Sequence, residues 1–354
     1  MKAWLELFRI SNLPTVWSNL AAGAALGWMM SPDSTSFSLE MAFAILCVMI
    51  AGSCLYTGGM VLNDVFDVAV DHDERPSRPI PSGRISLGSA ARVGSILLIL
   101  GIGMAALAGK GHWPVVIIAT TIALLSVVYD ATHLRSAISI LPLSICRGLL
   151  YPLGGLAINS TEWDFSVMLI FGFIGLFSAA HTIALSLVAR GEAEPPFDSC
   201  SSCEQPLLET QENCPECGVE SSDSAIRNRH HLRQQGINQL LGLVTFVLGI
   251  PGLMYLVSSS MLHGSEYGTV AWPFPAIGVL GSTIILVWGL RQNQRNLHAE
   301  PPRLTAFILG SIAAFCLYDA VILCMIGSQG PIFALFAYSM YFIVRRMHRR
   351  IPGT

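Results

Sequence analysis

Residues Asn63 to Ser86 read NDVFDVAVDHDERPSRPIPSGRIS and gather much of the chain's polar chemistry between two long apolar segments. If the stretch begins as a helix, Asp64, Asp67 and Asp71 fall at i, i+3 and i+7 and share one face, with adjacent side chains roughly 5 to 6 Å apart. At an effective dielectric near 20, two carboxylates about 5.5 Å apart repel by about 3 kcal/mol, whereas a fully exposed pair costs only tenths. A divalent cation would remove that repulsion. An ordinary acidic helix end in water would tolerate it, and the spacing alone leaves both readings open. Beyond the acids, Arg75 and Arg78 bracket Pro76, and the loop continues through Pro79, Pro81 and Gly83. Prolines leave that backbone few conformations, so its guanidinium groups are held in a narrow range of positions.

Guanidinium forks suit phosphate oxygens, and carboxylates are hard oxygen ligands for Mg2+; side by side they describe a diphosphate clamp. The stretch resembles the first aspartate-rich motif of the UbiA superfamily of intramembrane prenyltransferases, NDxxDxxxD followed by a basic loop. Its RPSRPIPSGRIS continuation looks most like the chlorophyll-synthase, archaeal ether-lipid and EboC-type branches, the last most of all. The resemblance implies that Asp64, Asp67 and Asp71 are catalytic residues that hold Mg2+, and that Asn63 orients a metal ligand or a phosphate oxygen. It further implies a prenyl diphosphate as substrate, bound by Arg75 and Arg78, and a hydrophobic acceptor.

The composition fits such a setting. Hydrophobic residues make up 53% of the 354 and charged residues 12%, against about 25% charged in a typical soluble protein. Apolar windows long enough to cross about 30 Å of hydrocarbon run near 13 to 30, 41 to 62, 92 to 109, 113 to 129, 138 to 158, 166 to 188, 237 to 258, 271 to 290 and 304 to 326, with a shorter one from 331 to 344. The expected fold is therefore an all-α, polytopic transmembrane bundle of 9 to 10 spans, UbiA-like by resemblance. With ten spans starting inside, 18 of the 20 Lys and Arg fall on one side, Lys110 falls on the other and Arg147 lies within a span. That asymmetry places both termini and the acidic motif on the cytoplasmic side of an inner membrane. A signal peptide is rejected because Asn12, Pro14 and Asn19 interrupt the first apolar run. The net charge of -3, without a basic run, gives no reason to expect a nucleic-acid partner.

Further polar residues lie along the spans. Asn19 matches the asparagine that the superfamily carries in its first span, facing the central cavity; a hydrogen bond between helices explains it as well. In the segment Tyr129 to Arg147, Arg135 sits in a short cytoplasmic loop where the family has a comparable basic residue, so it either reaches the diphosphate or is one more positive-inside cation. Arg147 is more informative, because an arginine within a span costs at least about 2.5 to 3.5 kcal/mol and should face a polar cavity or an acid. Its CRGLL context resembles the corresponding helix of EboC-type proteins.

Residues 189 to 236 form the one long polar insertion. Cys200, Cys203, Cys214 and Cys217 make two CxxC pairs ten residues apart, a spacing that suits structural Zn2+ with four thiolates. Thiol motifs without metal, or a disulfide, are the alternatives, the latter disfavoured in a reducing compartment. The expected organisation is a membrane part over 1–195, a zinc-ribbon-like insertion over 196–222 offering a surface to a cytoplasmic partner, and a second membrane part over 223–354. The family pattern fails in one place. The position of its second aspartate-rich motif reads HTIALSLVARGEAEPPFD, with Glu192, Glu194 and Asp198 but no DxxxD spacing. Two functions stay open: Mg2+-dependent prenyl transfer, and a catalytically inactive binding or transport protein for a lipid diphosphate or hydrophobic metabolite.

Overall fold

The computed structural model describes residues 2–29, 37–132, 139–159, 165–193, 197–199, 203, 206–208, 216–218, 273–297, 303–324 and 330–349. The chain opens with a short helix, α1 (Lys2–Leu7), and a 3-10 turn at Ile10–Asn12, then enters α2 (Leu13–Met29). α3 (Leu39–Phe66) and α4 (Val68–Glu74) carry the acidic motif, and α5 (Leu87–Ala108), α6 (Trp113–Thr132), α7 (Ile140–Ile158) and α8 (Phe165–Ala193) follow. After a two-stranded hairpin, β1 (Phe197–Ser199) and β2 (Pro206–Leu208), come α9 (Pro273–Leu297), α10 (Leu304–Cys324) and α11 (Gly330–His348).

Among the described residues, α2, α3 and α5 to α11 fall on nine of the ten apolar windows, and the window near 237 to 258 lies outside them. Six of these helices are long and apolar enough to cross a membrane: those within Leu39–Phe66, Leu87–Ala108, Trp113–Thr132, Ile140–Ile158, Met168–Leu187 and Thr305–Cys324. The chain is an integral membrane protein. Outward-facing Ile99 and Leu176 are about 70% exposed, at 71% and 69%, a state that hydrocarbon favours and water does not. The all-helical expectation meets one departure among the described residues, the antiparallel β1–β2 pairing, which sets Phe197 against Leu208 inside the cysteine-rich insertion.

Helix starts follow local chemistry. The Ser38 hydroxyl caps α3 by accepting from the Met41 N–H at 3.1 Å, and Ser86 caps α5 by accepting from Ser89. Lateral packing then pairs α3 with α5, α2 with α7, α7 with α8, and α10 with both α9 and α11. The α2–α7 contact is especially close: a Cβ added at Gly154 would collide with the Leu20 carbonyl oxygen, and one at Gly23 with that of Tyr151. Where lipid is as apolar as the helices, such approach is what draws them together. The fold also separates charge along α3, which is about 42 Å long. Glu40 at its start pairs with Lys110 at 2.6 Å, while Asp64 near its end meets the arginines.

Candidate functional site

The acidic motif forms at a joint. α3 ends at Phe66, Asp67 stands at φ -85 and ψ 0, and α4 resumes at Val68. Backbone bonding continues across the joint, because the Asp67 N–H donates to the Asn63 carbonyl at 2.9 Å and the Asp71 N–H to that of Asp67 at 2.8 Å. The i, i+7 relationship therefore survives. Asp64 and Asp71 are both buried and both accept from Arg78 Nη1, at 3.5 and 2.6 Å. Asp67 is half-buried at the joint, and Asn63 is buried one residue before Asp64.

The proline-rich loop aims Arg78 by burying its own apolar residues. Ile80 and Ile85 pack with Leu7, Val61 and Ala90, tying the loop to α1, α3 and α5. The turn closes through the Ser82 N–H on the Arg78 carbonyl and the Gly83 N–H on that of Ile80, both 3.0 Å, with Gly83 at φ +72, where a side chain would be strained. Arg84 braces the outside by donating to Glu6 at 3.0 Å and to the Ser77 carbonyl. Arg75 is exposed at the end of α4, outside the ion pairs found among the described residues. Arg135 lies outside the described residues.

One member of this site has no local signal in the sequence. Arg9 reaches across from the start of the chain, its Nη2 3.0 Å from Asp64 Oδ1. Its backbone is left-handed, φ 46 and ψ 45, a conformation that costs a side-chain-bearing residue on the order of 1 kcal/mol and clusters at functional sites. Burial works against its charge, but Asp64, with Tyr56 and Tyr129 behind it, more than offsets this and holds its pKa above the ordinary arginine value. As a sequence feature Arg9 is only one of many cations flanking a span, and nothing in its spacing connects it to Asp64, 55 positions on.

Two buried carboxylates, Asp64 and Asp71, meet two inward guanidiniums, those of Arg9 and Arg78. The donors are hard carboxylate oxygens, and Asp64 and Asp71 flank a single nitrogen, which fits Mg2+ chemistry. Among the described residues, no three His, Cys, Asp or Glu side chains stand converged for a metal, and Arg78 Nη1 lies between Asp64 and Asp71.

A second polar cluster lies deeper in the bundle. Asn19 on α2 donates from Nδ2 to both Asp319 oxygens, at 3.0 and 2.9 Å, and to the Tyr151 hydroxyl at 2.8 Å. Tyr151 on α7 in turn donates to Asp319 on α10 at 2.7 Å, so three helices meet at one fully buried carboxylate. Arg147, one turn before Tyr151, lies over the Phe315 ring, 4.0 Å from its centroid, within electrostatic reach of Tyr151, Asp319 and Tyr56. It thus turns inward toward an acid, as its cost in a membrane requires, but it joins this cluster and not the ion pairs of the acidic motif. Tyr56, which accepts from Asn12 at 3.1 Å, lies within reach of both Arg9 and Arg147 and so stands between the two clusters. Asp319 and Tyr151 were invisible as site residues in the sequence; an isolated acid within an apolar span was the one available cue.

A sequence model of the UbiA prenyltransferase family matches residues 15–192, half of the chain. The chain is 36% identical over 103 residues to digeranylgeranylglyceryl phosphate synthase of Methanocaldococcus jannaschii, covering 29% of this chain and 33% of that protein. With the synthase of Saccharolobus solfataricus it shares 32% over 165 residues, 46% of this chain and 54% of that one. The matches thus span about half the length of these relatives, or less. Among solved structures, a UbiA homolog from Aeropyrum pernix K1 aligns with TM-score 0.52 and 13% identity over 91% of this chain and 98% of its own. A UbiA homolog from Archaeoglobus fulgidus, solved bound to GPP and Mg2+, aligns with TM-score 0.51 and 16% identity over 90% and 99%. At these identities the likeness speaks for the fold.

Proposed function

The chain belongs to the UbiA prenyltransferase family, and on that premise we propose that it transfers an isoprenoid group from an allylic prenyl diphosphate to a hydrophobic acceptor, with Mg2+ as cofactor. The observation that carries this reading is the sharing of Arg78 between buried Asp64 and Asp71, with Arg9 on the far side of Asp64. Carboxylates and guanidiniums so interleaved can exchange partners. Asp64, Asp67 and Asp71 would hold the cation, and Arg78 and Arg9, released from the acids, would bind phosphate oxygens. When bound, Mg2+ supplies neutralisation of the departing diphosphate. Arg78 and Arg9 stabilise the charge that gathers on the bridging oxygen as the allylic C–O bond breaks, and the apolar bundle excludes water from the carbocation. Arg75, exposed at the mouth, and Arg135 would guide the diphosphate in by charge. The Archaeoglobus homolog that holds GPP with Mg2+ supports the choice of ligand.

The same proposal includes the cytoplasmic orientation of the acidic motif and both termini, a bundle of nine or ten spans, and closeness to the EboC-type branch. Support for the orientation comes from the separation of Arg9 and Arg78 from Lys110 along α3. It also divides the chain at 196–222 and assigns that insertion a structural Zn2+ on Cys200, Cys203, Cys214 and Cys217, with a cytoplasmic protein as docking partner. Cys200 and Cys214 lie outside the described residues. Two local features support the zinc site: Cys203 falls between β1 and β2, and Gly218 follows Cys217 at φ +70, the backbone of a tight turn.

A second reading, a catalytically inactive binding or transport protein, is favoured by one observation. From His181 to Ala193 the end of α8 carries a single acid, Glu192, where the family's second aspartate-rich motif belongs. Purified protein incubated with labelled geranylgeranyl diphosphate, Mg2+ and membrane extract separates the two. A prenylated lipid product is expected; Mg2+-dependent diphosphate binding with no product across several chain lengths would establish the binding protein instead.

A further inference from the structure

The turn that carries Arg9 is held from the far end of the chain. Arg9 stands in a left-handed conformation just before the 3-10 turn, and such a backbone persists only where its surroundings over-determine it. On one side, Leu7 packs with Val61, Ile80 and Ile85. On the other, the Asn12 N–H donates to the Arg9 carbonyl at 3.0 Å, and the Thr15 hydroxyl donates to the Asn12 carbonyl at 2.7 Å. The Asn12 side chain is buried and bonded at both ends: Nδ2 donates to the Tyr56 hydroxyl of α3 at 3.1 Å, and Oδ1 accepts from His348 Nε2 of α11 at 2.7 Å. Packing delivers His348 to this amide. Met340, Val344 and His348 share one face of α11 at i, i+4 and i+8, and the first two are buried with Ala313 and Cys316 of α10 against Trp17 of α2. The other ring nitrogen of His348, Nδ1, is buried without a hydrogen bond, so among the described residues the ring's polar contact is with Asn12.

We infer that His348 is a positioning residue for the diphosphate: through Asn12 it fixes the turn that presents Arg9 to Asp64 and to a phosphate oxygen, so the last helix of the chain sets how tightly the first site binds. This rests on the diphosphate reading of that site. An amide bonded at both ends keeps one orientation. Released on the α11 side, Asn12 would hold the turn through α3 alone, and the left-handed backbone at Arg9 would relax toward an ordinary one. A guanidinium bonds to oxygen only within a narrow range of distance and angle, so that relaxation takes Arg9 out of register with Asp64, now 3.0 Å away. His348 bonds to Asn12, three residues from Arg9, and acts on the site through it. Tyr56, the partner on the α3 side, lies on the helix that carries Asp64 and within electrostatic reach of Arg9, which ties the same amide to both members of the ion pair.

The test is equilibrium binding of labelled geranyl diphosphate with Mg2+ to the full chain in lipid nanodiscs, alongside thermal unfolding of the same preparations without ligand. His348→Leu, which keeps bulk and removes the donor, should weaken binding about fivefold, what one net hydrogen bond contributes. His348→Gln, which keeps an N–H donor, should stay within about twofold of the parent. Adding His348→Leu to Arg9→Gln should weaken binding by less than about twofold further, because the lost contact acts through Arg9. A merely structural His348 would give the same loss in both backgrounds. Should His348→Leu not fold, Asn12→Ala removes the acceptor instead and should weaken binding in the parent but not in Arg9→Gln. The inference fails if His348→Leu binds like the parent, if His348→Gln is as weak as His348→Leu, or if the losses add. If the parent itself binds no geranyl diphosphate, the diphosphate reading falls, and unfolding decides the coupling of His348 to Arg9. The double variant should then lose less in unfolding temperature than the two single variants together, and an additive loss overturns the coupling as well.

Discussion

Arg78 Nη1 stands 2.6 Å from Asp71 and 3.5 Å from Asp64, so one guanidinium holds together two buried carboxylates seven residues apart. The acidic ridge expected from the sequence is therefore neutralised from within. The charge that a metal would bring is already partly supplied by a side chain that a phosphate can draw away.

Removing that side chain should expose the repulsion. Arg78→Gln is expected to destabilise the protein by about 3 kcal/mol, the low end for breaking a buried pair because Arg78 keeps some exposure. Millimolar Mg2+ should restore part of the loss, and an added Asp71→Asn change should abolish the Mg2+ rescue. Thermal unfolding in detergent, with and without Mg2+, measures both; rescue that persists in the double variant would show that the ion acts elsewhere.

Arg9 combines an ion pair with a strained backbone, and substitution can separate them. Arg9→Gln and Arg9→Gly both lose the 3.0 Å contact to Asp64. Glycine accepts φ 46 without strain, so Arg9→Gly should be the more stable of the two by about 1 kcal/mol. Both should weaken diphosphate binding several-fold. Equal stability of the two variants would mean that the turn relaxes in solution.

His348 ties the basic end of α11 to the start of the chain, with Nε2 2.7 Å from the Asn12 side-chain oxygen that accepts from it. Burial first, then the nearby Arg345, pull its pKa down to about 4. An unfolded or detached histidine titrates near 6.5, so between those values the detached state binds the extra proton. The contribution of this contact is thus fully present above about pH 6.5 and lost as pH falls toward 4. Allowing for partial exposure it amounts to about 1 kcal/mol. Hydrogen exchange over residues 340–349 should quicken across that window, and His348→Gln should remove the pH dependence.

Close helix approach supports the buried cluster, and Gly154→Ala tests it. A methyl there would push against the Leu20 backbone and drive α2 from α7, separating Asn19 from Tyr151. A loss of about 1 to 3 kcal/mol is expected, typical of overpacking. Gly103→Ala, where the added carbon meets open space, is the control and should change little.

For the insertion, elemental analysis of purified full-length protein should find about one zinc per chain. Cys203→Ser with Cys217→Ser should remove it and leave the membrane part folded. Protein without zinc, purified under reducing conditions and free of chelator, would rule the site out.

Much of the candidate site was legible because it is local. The spacing of Asp64, Asp67 and Asp71 and the prolines around Arg78 lie within two dozen residues, and helical periodicity sufficed to bring Asp64 and Asp71 to one guanidinium. Even there the structure refined the picture: Asp67 falls at a joint, and of the two loop arginines Arg78 turns inward while Arg75 stays exposed. That choice depends on Ile80 and Ile85 packing against Leu7 and Val61, a contact no neighbouring residue specifies.

By itself the sequence determined that this is a helical membrane protein, where its apolar segments lie, and that an acidic helix end meets a basic, proline-stiffened loop. Those properties follow from composition and short-range periodicity, which fix hydrophobic length and the face a side chain occupies. Only the tertiary structure decided the partners: Arg9 with Asp64 across 55 positions, Asn19 with Asp319 across 300, and Arg147 assigned to a deeper cluster away from the acids. Buried polar groups must find partners wherever helix packing brings them, and packing between distant helices leaves no period in the chain for a reader to find.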